Sequence, residues 1–221
     1  MGSTLQGHHV ITVEDRSGDV DCIAADITRL CRNAPRLTHV IGISLGAHAV
    51  AHWAINQSHL DCISVCVLPA WSGPPDSTAA LTGLAAREIK ALGIQGTLRR
   101  ITAASPATDV TRVLEMGWDS YTDDSLAAVL QAAGQSQSID ALDLVHLRGA
   151  LSVVGWLGDP LHPAETARRW SAASHARLAM AAYPNVRLLQ AAVRLATGLP
   201  GRPFGPRLPS VGPSPAPPRG P

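Results

Sequence analysis

The chain has 221 residues, of which 46% are hydrophobic and 16% charged, and its formal net charge is +1. That balance excludes a disordered protein and predicts a single globular domain with a buried core. Lys and Arg stand singly rather than in a basic stripe, which argues against a nucleic-acid partner and for small-molecule chemistry. Cys22, Cys31, Cys62 and Cys66 form no C-x-x-C pair, a usage that suits a reducing cytoplasm. The N-terminal "MGSTLQGHHV" has no basic segment followed by an apolar one. No stretch reaches the roughly 18 uncharged apolar residues of a membrane span, so a cytoplasmic protein with no membrane partner is expected.

In chain order, apolar runs rich in Val and Ile alternate with helical patterns, the signature of a mostly parallel sheet built from βαβ units. The runs are "HHVITVE" (8–14), "THVIGI" (38–43), "LDCISVCVLPA" (60–70), "GALSVVGW" (149–156) and "HARLAMA" (175–181). Between the first two, "DVDCIAADITRLCRN" puts Ile23, Ile27, Leu30 and Cys31 on one helical face, with Asp19 and Asp21 at the start and Arg29 and Arg32 at the end to suit the helix dipole. A second helix is predicted directly from Ser44. A third starts at Pro163, whose fixed φ favours the first helical position. Residues 73–148 break the alternation with helical patterns alone and are read as a helical cap inserted into a core of residues 1–72 and 149–197. From Gly198 to Pro221 the chain is rich in Pro and Gly and reads as a disordered tail. The fold class is α/β, with about five strands and helices on both faces.

The chemistry centres on "IGISLGAH". Gly42-Ile43-Ser44-Leu45-Gly46 is a G-x-S-x-G turn between a buried strand and a helix, the setting in which a strained backbone lifts a serine hydroxyl into a cleft. Gly42 and Gly46 occupy the two positions where side chains would clash. The N–H of Leu45, at the helix N-terminus, is placed to receive a developing oxyanion. The alternative is a glycine-bracketed turn that merely packs helix on strand. Further on, "VVGWLGDPLHP" sets Asp159 just beyond a strand, where a carboxylate faces the same crevice as Ser44. Its alternative role is to cap the helix beginning near Pro163. His48 and His52 have a spacing that can bind metal, but no Glu follows His48, and no metal or cofactor is expected. Trp71 and Trp156 close strand ends, as pocket lining or as core.

With these residues in view, the chain resembles the α/β-hydrolase fold family over about residues 8–197. "HVITVEDRSGDVD" resembles the family's fourth strand and the loop after it, "THVIGISLGAHAVAHWA" the nucleophile strand, turn and helix, and "VVGWLGDPLHPAETARRW" the acid strand and its helix. The resemblance implies a catalytic His after the last strand, in the triad order Ser, acid, His. That loop reads "AAYPNVR" and holds none. Of the two His after Asp159, His175 precedes the last strand. His162 shares the acid's own loop and reaches Ser44 only by an unusual arrangement, so it is either the general base or a helix-capping residue beside Pro163. The family's strands before the fourth have no counterpart here, and with them goes the second oxyanion donor. "HHVITVE" must then pair directly with "THVIGI" or leave a gap.

Three readings follow. One is a serine hydrolase acting on a small ester, amide or thioester, with Ser44, Asp159 and, where it serves as the base, His162 as catalytic residues and Leu45 in the oxyanion hole. The second is a non-catalytic relative that binds a small apolar ligand, and the third is an inactive fragment of a longer hydrolase. The lone edge strand also admits a homodimer.

Overall fold

The computed structural model describes residues 3–5, 8–13, 16–34, 37–57, 62–104, 108–147 and 150–198. The tail reading falls outside these residues apart from Gly198.

Four strands form the central sheet: β3 (His39–Ile43), β4 (Ile63–Val67), β5 (Leu151–Leu157) and β6 (Arg177–Ala182). They lie in the order β3-β4-β5-β6 and all pairs are parallel. Residues alternate strictly between the two faces. Cys66 and Val153 point into one core with α1 (Val20–Arg32), α2 (Leu45–Ile55) and α6 (Ala164–Ser174), while Val65, Val67, Val154 and Trp156 point into a second core with α7 (Val186–Thr197). A sheet covered on both sides needs strands that are apolar at every position, which explains why β4 and β5 read as unbroken apolar runs.

The N-terminal run departs from the expectation of a fifth parallel strand. β2 (His8–Val10) pairs antiparallel with β1 (Ser3–Leu5) in a separate two-stranded sheet. Among the described residues no strand lies along the outer edge of β3. The three residues of β2 find their hydrogen bonds in the neighbouring hairpin strand, so the outcome is the gap rather than direct pairing.

α1 is capped as its sequence suggests, with Asp19 accepting a hydrogen bond from the N–H of Cys22. Pro163 takes the N-cap of α6 rather than its first turn. Between β4 and β5 the chain is helical: α3 (Ser77–Ala104), α4 (Thr108–Trp118), α5 (Asp123–Ala133) and a 3₁₀ turn (Ala141–His146). α3 is kinked where Gly93 takes a φ of 69°, and Asp123 accepts the N–H of Ile94 to restart the helix beyond it. No helix among the described residues is long and apolar enough to cross a membrane.

Candidate active site

Because the strands are parallel, the segments that follow them emerge at one edge of the sheet. Ser44 follows β3 directly and caps α2, and its N–H donates to the carbonyl of Val67 at the end of β4. Its φ of 55° and ψ of −120° lie where L-residues are strained, at a cost of about 1–3 kcal/mol that the surrounding strand and helix sustain. Ser44 makes no capping hydrogen bond with its side chain, so the hydroxyl is left for other partners.

The two glycines of the turn differ. A Cβ on Gly42 would lie 2.0 Å from the carbonyl oxygen of Gly46 and 2.8 Å from the nitrogen of Ala47, so only glycine lets α2 start this close to β3. A Cβ on Gly46 would meet nothing within 4 Å. The expected clash at Gly46 is therefore absent, because its missing side chain points away from the turn.

Asp159 and His162 arrive together on the turn after β5. Gly158, at a φ of 85°, swings the chain out of the strand. One carboxylate oxygen of Asp159 then accepts the N–H groups of Leu161 (2.8 Å) and His162 (3.3 Å), which folds the D-P-L-H segment back on itself. The other oxygen lies 2.7 Å from Nδ1 of His162. Nε2 of the same ring lies 3.0 Å from Oγ of Ser44. An ionised carboxylate can only accept, so Nδ1 carries the proton and Nε2 presents its lone pair to the serine hydroxyl. The side chains of Asp159 and His162 are 5% and 17% exposed, which keeps most water away from the pair.

Ser44, Asp159 and His162 are thus brought into one hydrogen-bonded row. Asp159 shapes the turn ahead of α6, whose N-cap is Pro163, and the ring of His162 faces Asp159 and Ser44. Leu45 opens α2, where the first N–H groups have no intrahelical acceptor. His175 ends α6 at the opposite edge of the sheet, before β6 begins. The loop after β6 presents Tyr183, whose ring packs edge-on against Trp156 at 5.0 Å.

His48, one turn along α2 from Ser44, has a role that spacing alone did not suggest. Nε2 accepts the N–H of Ala70 at 3.1 Å, and Nδ1 lies 2.5 Å from Oγ of Ser138. The first bond fixes the proton on Nδ1, so the ring is neutral, and both nitrogens are occupied by protein. Burial, followed by the charge of nearby His162, holds His48 down to about 3. Its ring stacks on Trp71 at 4.3 Å and meets the edge of Trp170 at 5.4 Å. Trp71 and Trp156 are both buried in the core. His52 pairs instead with Asp21 at 2.8 Å, and no group of three His, Cys, Asp or Glu side chains is placed to hold a metal among the described residues. Burial in the apolar core raises the thiol pKa of Cys66, so it remains a protonated core residue.

No protein-family model and no curated protein matches the sequence. Solved structures do match. A hydrolase from Pseudomonas aeruginosa PA01 aligns with a TM-score of 0.64 at 20% identity, over 88% of this chain and 78% of that one. The chain has the α/β-hydrolase fold. Two further matching structures are an acetylester hydrolase from Corynebacterium glutamicum (TM-score 0.61, 13% identity, 86% of this chain and 70% of that one) and Rv0554 from Mycobacterium tuberculosis (0.55, 18%, 74% and 64%). The chain spans less than two thirds of the length of Rv0554.

Proposed function

We propose that the protein is a serine hydrolase acting on a small carboxylic ester, amide or thioester. The observation that carries this reading is the contact of His162 Nε2 with Ser44 Oγ at 3.0 Å, while Nδ1 is held by Asp159 at 2.7 Å. In this reading Ser44 Oγ attacks the substrate carbonyl carbon as its proton passes to His162 Nε2. The carbonyl oxygen becomes an oxyanion beside the N–H of Leu45. Collapse of the tetrahedral intermediate breaks the bond to the leaving group, which takes the proton from His162 and leaves an acyl ester on Ser44. Water then attacks that ester, giving a proton to His162, and collapse breaks the bond from the acyl carbon to Ser44 Oγ, which takes that proton back from His162 as the carboxylic acid leaves. Asp159 keeps the ring in the required tautomer and stabilises the imidazolium that forms twice per cycle.

A fluorophosphonate probe tests the proposal, because it phosphonylates only serines activated in this way. Labelling at Ser44, abolished in both Ser44→Ala and His162→Ala, is the expected result. A folded protein that takes up no probe would refute it.

A further inference from the structure

Ser44 and His162 stand on different elements, and nothing covalent sets the 3.0 Å between them. Ser44 belongs to the start of α2, whereas His162 belongs to the turn that runs into α6. Their separation depends on the register of β3, β4 and β5 and on how the start of α6 is held against α2. Resting on the reading of Ser44 as nucleophile and His162 as base, we propose that His48 is a positioning residue that fixes the α6 end of the site relative to the nucleophile helix.

Two routes lead from His48 to α6. Through hydrogen bonds, Nε2 holds the N–H of Ala70, the carbonyl of Ala70 accepts the hydroxyl of Thr166 at 3.3 Å, and the N–H of Thr166 closes on the carbonyl of Pro163 at 2.9 Å, one residue from His162. Through ring contact, His48 meets Trp170 of α6 edge to face at 5.4 Å. The strap that carries Ala70 has a bent start of its own, since Leu68 adopts a φ of 57° as it leaves β4. Trp71 in that strap stacks on His48 and packs against Leu45, so the same imidazole also holds the wall beside the oxyanion donor. Its second nitrogen, on Ser138, ties in the end of the helical insertion. A leucine would fill the same space but would leave Ala70 N–H unpaired and the strap free to shift. Buried His48 never contacts the reacting atoms. It acts through Ala70 and Thr166.

Three variants of the full chain separate this role from plain core packing, read as the second-order rate of fluorophosphonate labelling at Ser44 with near-UV circular dichroism as the check on folding. In His48→Gln the amide oxygen reaches about as far as Nε2 and can still accept from Ala70, although the ring contact with Trp170 is lost, so labelling stays within a few-fold of the wild-type rate. In His48→Asn the shorter side chain keeps a donor for Ser138 but loses Ala70. Thr166→Val breaks the far link without altering α2. The last two are expected to label about tenfold or more slowly with unchanged dichroism, since a misplacement of 1 Å can cost roughly a hundredfold in rate. Wild-type rates in both, or slowing that follows loss of the dichroic signal in all three, would overturn the inference. A wild-type protein that does not label would instead remove the reading of Ser44 on which the inference rests.

Discussion

Lowering the pH from about 7.5 to about 4.5 should destabilise the wild-type protein more than its His48→Gln variant. Folded His48 is fully buried, with Nε2 accepting from Ala70 and the ring stacked on Trp71 and meeting Trp170 edge to face, and it does not take up a proton until the pH reaches about 3. In the unfolded chain the same ring titrates at its ordinary value of 6.5. Between those two values the unfolded state binds a proton that the folded state refuses, so stability falls as the pH falls through 6.5 and goes on falling to about 3, below which both states are protonated. At ~1.36 kcal/mol per pH unit, the whole window is worth about 5 kcal/mol, and the part down to pH 4.5 about 3 kcal/mol. That is a large share of the 5–15 kcal/mol typical of a domain. The measurement is equilibrium urea unfolding followed by far-UV dichroism at several pH values for both proteins. Other His and the carboxylates contribute to both curves, and subtraction isolates residue 48. Parallel curves would refute the reasoning, because they would mean that folded His48 binds a proton as readily as a solvated imidazole.

Asp159→Asn should leave the fold intact, with the side-chain oxygen still accepting the N–H groups of Leu161 and His162, yet reduce labelling of Ser44 by roughly 10⁴, because the amide N–H facing Nδ1 drives the proton to Nε2; esterase or probe kinetics at near-wild-type rates would contradict this. Gly42→Ala should prevent correct folding, since its Cβ would lie 2.0 Å from a backbone oxygen, and soluble protein with native dichroism would count against it. Gly46→Ala should do the opposite, raising the melting temperature by about 2–4 °C for the ~1 kcal/mol gained by replacing a helical glycine.

Much of the sheet could be read from the sequence because strands buried on both faces are apolar throughout, and runs such as "CISVCV" and "LSVVGW" admit few other assignments. The turn at Ser44 was equally legible, since Gly42 is required by a backbone approach that any chain crossing from β3 to α2 at this angle must make. The N-terminal run was not. "HHVITVE" has strand-like residues, but which neighbour a strand of three residues pairs with is decided by the nearest available edge, and that edge was Ser3–Leu5. The position of His162 was harder still. A loop that carries both Asp159 and His162 shows the two residues by spacing, but whether the ring turns towards Ser44 depends on contacts through Ala70, Thr166 and Trp170 that no local pattern encodes.

The doubling of roles at Asp159 explains how a chain with no His after its last strand can still assemble this row. A carboxylate has two oxygens, and three residues of separation are too few for an extended chain to bring a side chain back to its neighbour's. By spending one oxygen on the N–H groups of Leu161 and His162, Asp159 curls the backbone until the imidazole of His162 faces the other oxygen. Asp159 thus builds the turn that delivers its own partner. Pro160 and Pro163 restrict the flanking φ angles, so less conformational entropy is lost when the turn closes. The ring of His162 then needs one more coordinate, its distance from Ser44, and a turn of four residues cannot supply it. That coordinate is set by the sheet that carries both β3 and β5 and by the contact of α6 with α2 where Trp170 meets the buried, doubly hydrogen-bonded His48.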